Sequence, residues 1–452
     1  MSLYTGIVAN LLFPLHERLK GHSTVAIRRQ MELSQWWPAE KLRELQLQRL
    51  KSLLQQAGLH VPYYRDLFAR IGFDPSNVVS LADLQKLPLL EKAHIRANSE
   101  LFKADNAQGL ARFNTGGSSG QPLIFFIGKQ RVSHDVAAKW RATRWWDVDI
   151  GDPEIVIWGS PIEHSRQDRV KQIRDRILRT QLLPAFEMSP AMLDEFVAEI
   201  RRQRPKMLFG YPSALSFIAR HAAQRGIRLD DLGIKVAFVT SEKLYDEQRS
   251  LIQSTFGCRV ANGYGGRDAG FIAHECPAGN MHLTAEDIIV EIVAPDGRVL
   301  PAGEAGEIVV THLATGDFPF IRYRTGDIGV LDSQLCSCGR GLPLLKEIQG
   351  RTTDFIIAAD GTVMHGLALI YTVRDLPGVE QFKIIQHSLE VIEVLLVTRS
   401  QFDLALCQRI KDDFRRRLGQ SVVVQIHLVD AIEPEKSGKY RYVVSRFNES
   451  RS

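Results

Sequence analysis

Leucine recurs at positions 42, 45, 47, 50, 53 and 54, in a stretch otherwise rich in Glu, Lys, Arg and Gln. This spacing predicts an amphipathic helix. Val61-Pro62-Tyr63-Tyr64 interrupts the pattern, and the stretch from Leu81 to His94, with Pro88, is typical of a connector. We therefore expect the first 110 residues or so to be mainly helical.

Beyond Asn114, short apolar runs of β type alternate with longer segments of helical spacing. The predicted strands include Pro122–Phe126, Ile155–Trp158 and Val236–Val239. The predicted helices are Gln167–Leu183, Met192–Arg202, Ala214–Arg225 and Tyr245–Phe256. Such alternation predicts a layered α/β fold.

The pattern changes twice more towards the C-terminus. From about 285 to 332 the strands are closely spaced and separated by turn signals, which predicts a β-rich, meander-like subdomain. After Gly350-Arg351, strands and helices mix over about 100 residues. We predict a large domain over 1–350, helical over about 1–110, and a small mobile α+β domain over 351–452.

Charge and the N-terminal residues narrow the class of protein. The chain has 57 basic and 52 acidic residues, a net charge of +5, without a long basic stripe interleaved with aromatics, so nothing indicates nucleic-acid binding. The N-terminal residues lack the features of a signal peptide, and their roughly ten apolar residues are too few to span a bilayer. They predict a helix packed on the body or, alternatively, a peripheral contact with a membrane surface. We expect a cytoplasmic protein.

A glycine-rich loop precedes the first predicted strand. Thr115-Gly116-Gly117-Ser118-Ser119-Gly120-Gln121-Pro122 offers successive backbone N–H groups and hydroxyls, which suit an anion such as phosphate. No Lys follows the last glycine and the loop leads into a strand, so this is not a GxxxxGK[ST] loop. In isolation an ordinary surface turn would explain it equally well.

Further motifs follow in a fixed order: Val239-Thr240-Ser241-Glu242, Asn262-Gly263-Tyr264-Gly265-Gly266-Arg267-Asp268, Tyr323-Arg324-Thr325-Gly326-Asp327, Gly350-Arg351-Thr352-Thr353-Asp354 and Ser437-Gly438-Lys439. Together with the loop, they resemble the adenylate-forming (AMP-binding) superfamily over nearly the whole chain. The closest branch is the phenylacetate–CoA ligase family, and within it the members associated with polysaccharide biosynthesis. The resemblance implies a large adenylation domain followed by a small lid domain.

The resemblance also implies roles for individual residues. The loop residues Thr115 to Gly120 would hold the ATP phosphates, Tyr264 would line the adenine site, and Asp268 would help to hold Mg²⁺. Asp327 would bind the ribose hydroxyls, Arg351 would approach the ribose or phosphate, and Lys439 would contact the carboxylate and α-phosphate. Ser241, Glu242, Asn262, Gly263 and Gly265 would complete the nucleotide site. Two departures stand out, because Asp268 replaces the family's Glu and Thr353 stands where many relatives have an acidic residue.

The implied reaction converts a carboxylic acid and ATP into an acyl-adenylate and pyrophosphate, with catalytic roles for Lys439, Thr115 and Asp268. The acyl group then passes to an acceptor, usually coenzyme A. Transfer to an amine or hydroxyl of a cell-envelope polysaccharide is one alternative, and a non-catalytic nucleotide-binding scaffold is another. The sequence does not identify the acid substrate, although Tyr211 suits an aromatic one. The candidate segments for the acyl pocket are Ile157–Pro161, Phe209–Ser213 and Asn262–Gly263.

The cysteines form a separate motif. Cys336 and Cys338 lie in a CxCG turn, and Cys276 lies between His274 and His282. Three Cys and one His make a closed tetrahedral set for structural Zn²⁺. His282 is the predicted fourth ligand and His274 its rival, while ordinary reduced thiols remain the alternative. Cys258 and Cys407 lie in largely apolar surroundings.

Overall fold

The computed structural model describes most of the chain. The described residues are 2–114, 123–158, 167–185, 188, 190–351, 355–360, 363–365, 367–374, 376–399, 402–433 and 443–446. They group into two compact units. The larger contains the described residues up to 325 together with 329–348, and the smaller contains 326–328 and those from 349 onwards.

The N-terminal part of the larger unit is helical, as predicted. Its helices are α1 (Leu3–Ile7), α2 (Phe13–Leu19), α3 (Thr24–Ser34), α4 (Ala39–His60), α5 (Pro62–Ile71) and α6 (Lys92–Ala97). A π-helical turn over Val8–Leu12 joins α1 to α2. Helix α4 contains the predicted leucine stripe, with Leu42, Leu50, Leu53 and Leu54 buried. Helix α4 ends before Val61 because Pro62 can start α5 but cannot continue α4.

Helices alternate with strands in the following part. The helices are α7 (Lys129–Arg144), α8 (Gln167–Leu178), α9 (Pro190–Gln203), α10 (Pro212–Gln224) and α11 (Asp246–Phe256). The strands up to residue 283 are β1 (Ala111–Asn114), β2 (Ile124–Ile127), β3 (Glu154–Trp158), β4 (Thr180–Pro184), β5 (Met207–Gly210), β6 (Val236–Thr240), β7 (Arg259–Gly266), β8 (Gly270–Glu275) and β9 (Met281–Leu283).

One large sheet organises these strands. The later strands are β10 (Ile288–Val293), β11 (Ala305–His312), β12 (Tyr323–Asp332) and β13 (Leu344–Arg351). Within the described residues the sheet has eleven strands in the order β10-β11-β12-β13-β9-β8-β7-β6-β5-β3-β4. Strands β3 to β7 pair in parallel, whereas β7, β8 and β9 pair antiparallel. The predicted β-rich segment thus extends the same sheet.

The smaller unit has its own sheet and helices. Its elements are β14 (Phe355–Ile357), β15 (Val363–His365), α12 (Leu367–Arg374), β16 (Val379–Gln386), β17 (Val391–Thr398), α13 (Ala405–Leu418), β18 (Val423–Leu428) and β19 (Val443–Ser445). Four strands pair in the order β18-β17-β16-β19. This mixed arrangement, in addition to the large α/β sheet of the other unit, confirms the predicted fold class.

One predicted helix was wrong at its C-terminal end. The segment Gln167–Leu183 is not a single helix, because α8 ends at Leu178 and β4 follows. Arg179 adopts a left-handed φ of 57°, and Thr180–Pro184 pairs in parallel with Glu154–Trp158. Strand pairing therefore overrides the local helical spacing.

Among the described residues, no helix is long and apolar enough to cross a membrane.

Candidate active site and candidate metal site

The carboxyl ends of four parallel strands bring several predicted residues to one edge of the sheet. The register pairs Ile157 with Gly210, Gly210 with Val239, and Thr240 with Gly263. The residues that follow these positions, Trp158, Tyr211, Ser241 and Tyr264, therefore emerge side by side. In open α/β sheets this edge is where ligands bind.

Ser241 and Glu242 form a bend directly after β6. Ser241 has a φ of 72°, a left-handed conformation that is uncommon outside glycine. The Oε2 atom of Glu242 accepts a hydrogen bond at 3.2 Å from the backbone N–H of Ser213, in the first turn of α10. A carboxylate is favourable at a helix N-terminus, so Glu242 is held in place there.

Two glycines on either side of Tyr264 are required by close approach. A Cβ at Gly263 would lie 2.8 Å from the Phe238 ring, and one at Gly265 would lie 2.2 Å from the carbonyl oxygen of Gly270. The backbone N–H of Asn262 donates to Glu275 at 2.8 Å and fixes the start of this segment. Tyr264 itself is half-buried, so its ring is partly accessible at the strand end.

Asp268 lies in the turn between β7 and β8, and both of its carboxylate oxygens have donors. The hydroxyl of Tyr323, which is fully buried, donates to Oδ2 at 2.5 Å. The backbone N–H of Ala269 donates to Oδ1 at 3.1 Å. These contacts orient the carboxylate, and each oxygen retains a lone pair for a further ligand.

Arg131 on α7 supports the same turn, and no motif of the sequence indicated it. Its guanidinium lies 3.3 Å from the carbonyl oxygen of Arg267 and 3.4 Å from that of Asp268. It also pairs with Asp135 at 2.8 Å and is only 2% exposed. Arg131 and Tyr323 thus hold the turn that bears the predicted magnesium ligand.

The other predicted nucleotide residues lie on later strands or outside the described residues. Asp327 lies within β12, four residues after Tyr323, and Arg351 is the last residue of β13. Strands β1 and β2 pair with Asn114 opposite Ile124, and they flank the glycine-rich loop. The loop itself, Thr115, Gly116, Gly117, Ser118, Ser119 and Gly120, lies outside the described residues, as does Lys439.

Aromatic side chains line the adjacent strand ends. The rings of Trp158 and Tyr211 stack with centroids 4.4 Å apart, and Trp158 lies 6.0 Å from Phe209. Burial raises the pKa of Tyr211, and the Glu242 carboxylate adds to this effect, so the phenol stays neutral. This cluster belongs to two of the segments predicted to form the acyl pocket.

Comparison with known proteins agrees with this arrangement. A family model described as CapK C-terminal domain matches residues 356–446. Protein CapK from Staphylococcus aureus is 22% identical over 406 residues, covering 89% of each chain. A phenylacetate–coenzyme A ligase from Aromatoleum evansii is 26% identical over 437 residues, covering 90% of this chain and 95% of the relative. The chain is therefore similar to phenylacetate–CoA ligases and to CapK over most of its length.

A solved structure has the same architecture as this chain. The crystal structure of 2-hydroxyisobutyryl-CoA ligase in the postadenylation state superposes with a TM-score of 0.74 and covers 92% of both chains. The two sequences are only 20% identical, so this likeness establishes the architecture alone.

The chain also carries a cluster of three cysteines and one histidine. The ligand atoms of Cys276, His282, Cys336 and Cys338 all lie within 4.8 Å of one another. The Sγ atoms of Cys276 and Cys336 are 3.7 Å apart, and Cys338 Sγ lies 3.2 Å from His282 Nε2. Two turns shape the cluster, each with a glycine in the left-handed region, Gly279 at 86° and Gly339 at 81°.

The surroundings of the cluster set the orientation and the pKa values of its ligand groups. His282 Nδ1 lies 3.3 Å from the carbonyl oxygen of Leu342, a contact that directs Nε2 to the sulfurs. Burial lowers the pKa of His282 to about 4, which keeps the imidazole neutral. Burial raises the pKa of the Cys276 thiol to about 11. A bound dication would reverse that effect, because coordination deprotonates a thiol.

The rival ligand His274 lies elsewhere. It stands opposite His282 in the β8–β9 register, but its ring packs on Phe271 and Phe238, with centroids 5.5 and 5.8 Å apart. Neither ring nitrogen has a hydrogen-bond partner among the described residues. The geometry therefore favours His282 over His274 as the fourth ligand.

Proposed function

We propose that the protein activates a carboxylic acid with ATP, forms an acyl-adenylate and pyrophosphate, and transfers the acyl group to an acceptor thiol. The observation that carries this proposal is the Asp268 carboxylate, held by Tyr323 at the sheet edge that also bears Tyr264, Ser241 and Glu242. An oriented carboxylate beside an aromatic ring suits a magnesium-bound nucleotide.

The residues have distinct tasks in this proposal. Tyr264 stacks on the adenine, Asp327 accepts hydrogen bonds from the ribose hydroxyls, and Arg351 approaches the ribose or phosphate. The Thr115–Gly120 loop holds the β- and γ-phosphates. Asp268 would hold Mg²⁺, which neutralises charge on phosphate oxygens when it is bound. Because Asp is one methylene shorter than Glu, a bridging water would serve this contact.

Lys439 would stabilise the charge that develops as the acid attacks the α-phosphorus and pyrophosphate leaves. The stacked pair of Trp158 and Tyr211 supports an aromatic or otherwise apolar acid, because flat rings with few polar groups favour such a substrate.

Coenzyme A is the acceptor that the ligase relatives favour, since the names of these relatives specify it. ATP and coenzyme A are cytoplasmic metabolites, and we place the reaction in the cytoplasm. A second candidate acceptor is an amine or hydroxyl of a cell-envelope polysaccharide, the alternative that the resemblance of the sequence motifs leaves open.

Acid-dependent pyrophosphate release tests these alternatives. A panel of aromatic and aliphatic acids is incubated with ATP and Mg²⁺, with and without coenzyme A, and thioester is measured in parallel. Release together with thioester supports an acyl-CoA ligase, and release without thioester supports the amine or hydroxyl acceptor. No release with any acid would support the non-catalytic scaffold.

In the same assay Lys439→Ala should abolish adenylation while ATP binding is largely retained. Equal losses of adenylation and of ATP binding would contradict the proposed role of Lys439.

We also propose that Cys276, His282, Cys336 and Cys338 hold a structural Zn²⁺. Three sulfurs and one imidazole within 4.8 Å fit tetrahedral zinc and leave no open position for catalysis. Elemental analysis should find stoichiometric zinc, and a chelator should lower the thermal unfolding midpoint.

A matched pair of variants separates zinc from ordinary thiols. Cys338→Ser should lose the metal and unfold at a lower temperature. Cys407→Ser, which changes a half-buried cysteine outside the cluster, should keep the metal. Equal zinc content in both variants would rule out this ligand set.

A further inference from the structure

The N-terminal helical segment is firmly docked through one face. Val8 packs into the space left by Gly151, where an added Cβ would lie 2.6 Å from the Val8 Cβ. The Thr5 hydroxyl donates to Asp152 at 2.8 Å. Val8 also joins Ala9 and Phe13 in an apolar cluster with Trp140 and Ile150. The buried face therefore accounts for the attachment of α1 and α2 to the body.

The opposite face of the same segment is apolar as well, yet exposed. Leu3, Leu11 and Leu19 are 84%, 62% and 80% exposed, and Ile7 and Leu15 between them are also exposed. Each of these five residues lies four positions after the previous one, so they recur about once per helical turn. Contiguous exposed apolar residues indicate a contact site, whereas single ones do not.

Helix α8 extends this surface. The Tyr4 hydroxyl donates to the carbonyl oxygen of Ile177 at 2.9 Å, and the Arg179 guanidinium lies 5.0 Å from the centre of the Tyr4 ring. Ile177 is exposed beside them. We define the N-terminal apolar face as Leu3, Ile7, Leu11, Leu15, Leu19 and Ile177.

The exposed charges around this face are basic. Arg18 and Lys20 are exposed at the end of α2, and Arg176 and Arg179 are exposed on and after α8. The acidic side chains of these two stretches, residues 2–20 and 173–180, are already engaged. Glu17 is buried and accepts from Thr24, and Asp175 pairs with Arg174.

We infer that the N-terminal apolar face binds a membrane surface containing anionic lipids. Helices with an apolar face and a basic rim lie in the interface plane, where apolar burial and attraction to anionic headgroups add together. A second copy is a poorer occupant, because a two-fold contact through this face would bring the same basic side chains of both copies together. Such binding would hold the enzyme next to substrates or acceptors at the membrane.

Co-sedimentation with vesicles tests this inference. The 452-residue protein should sediment with vesicles of phosphatidylcholine and phosphatidylglycerol but not with phosphatidylcholine alone. Leu3→Ser/Leu11→Ser/Leu15→Ser should lose the binding. Arg18→Gln and Arg176→Gln should each weaken it about fivefold. Raised salt should weaken the binding as well.

A matched control changes three exposed leucines elsewhere. Leu33→Ser/Leu59→Ser/Leu404→Ser alters side chains that are 65–67% exposed and should bind vesicles like the natural protein. Both triple variants should keep the thermal unfolding midpoint and acid-dependent pyrophosphate release in solution, so this test stands apart from the proposed reaction. The inference is wrong if anionic vesicles do not bind, or if the control variant loses binding equally. A dimer seen by analytical ultracentrifugation that the first triple variant dissolves would also overturn it, in favour of a protein interface.

Discussion

At the residue scale, the Tyr323–Asp268 contact offers a direct test of the magnesium role. Tyr323→Phe removes the hydroxyl that donates to Oδ2 at 2.5 Å, and it leaves a buried ring of nearly the same shape. Groups that orient a metal-binding carboxylate typically contribute about tenfold or more to metal affinity. We expect pyrophosphate release to need about tenfold more Mg²⁺ for half-maximal rate.

Tyr64→Phe is the matched control for this variant. Tyr64 is buried in the same apolar core, and its hydroxyl contacts the Pro319 carbonyl oxygen at 3.4 Å, away from Asp268. Its substitution should cost similar stability and leave the Mg²⁺ requirement unchanged. If Tyr323→Phe keeps the Mg²⁺ requirement of the natural protein, Asp268 does not hold the ion through this contact.

At the scale of elements, hydrophobic spacing predicted most helices and strands because each pattern is local. It was wrong after Leu178, where the helix gives way to β4 because β3 offers a parallel partner. The position of β10 to β13 in the same sheet as β3 to β7 also depends on pairing between distant segments. Spacing along the chain carries no record of such pairing.

The candidate site shows the same contrast between local sequence patterns and contacts that join distant residues. Tyr264, Asp268 and Asp327 were predicted because they lie in short ordered motifs that resemble a family. Arg131 was missed, since its contacts with the carbonyl oxygens of Arg267 and Asp268 join residues more than 130 positions apart. Sequence motifs therefore predict which groups would touch the ligand, whereas the groups that position them were found only in the structure.

At the scale of the whole molecule, buried histidines make stability depend on pH, and two of them, His274 and His312, lie outside the cysteine cluster. Burial, together with the Arg141 charge, lowers the pKa of His274 to about 3. Burial and the Arg131 charge lower the pKa of His312 to about 4, although Asp135 opposes this. Both side chains are only 1% exposed, so the folded state keeps them neutral. In the unfolded chain they take up protons below about pH 6.5, and acid therefore favours unfolding.

Each histidine should cost about 2 kcal/mol of unfolding free energy between pH 7 and pH 5, because its ordinary pKa lies about 1.5 units above pH 5. Urea unfolding can be followed by tryptophan fluorescence, since all six tryptophans lie between positions 36 and 158, in the larger unit. His274→Phe fits the stack with Phe271 and should remove about 2 kcal/mol of this loss, the share of one histidine. His94→Gln, at an exposed position, should leave the loss unchanged. A loss as large in His274→Phe as in the natural protein would mean that His274 takes up its proton in the folded state too, and that its apolar surroundings admit a compensating partner.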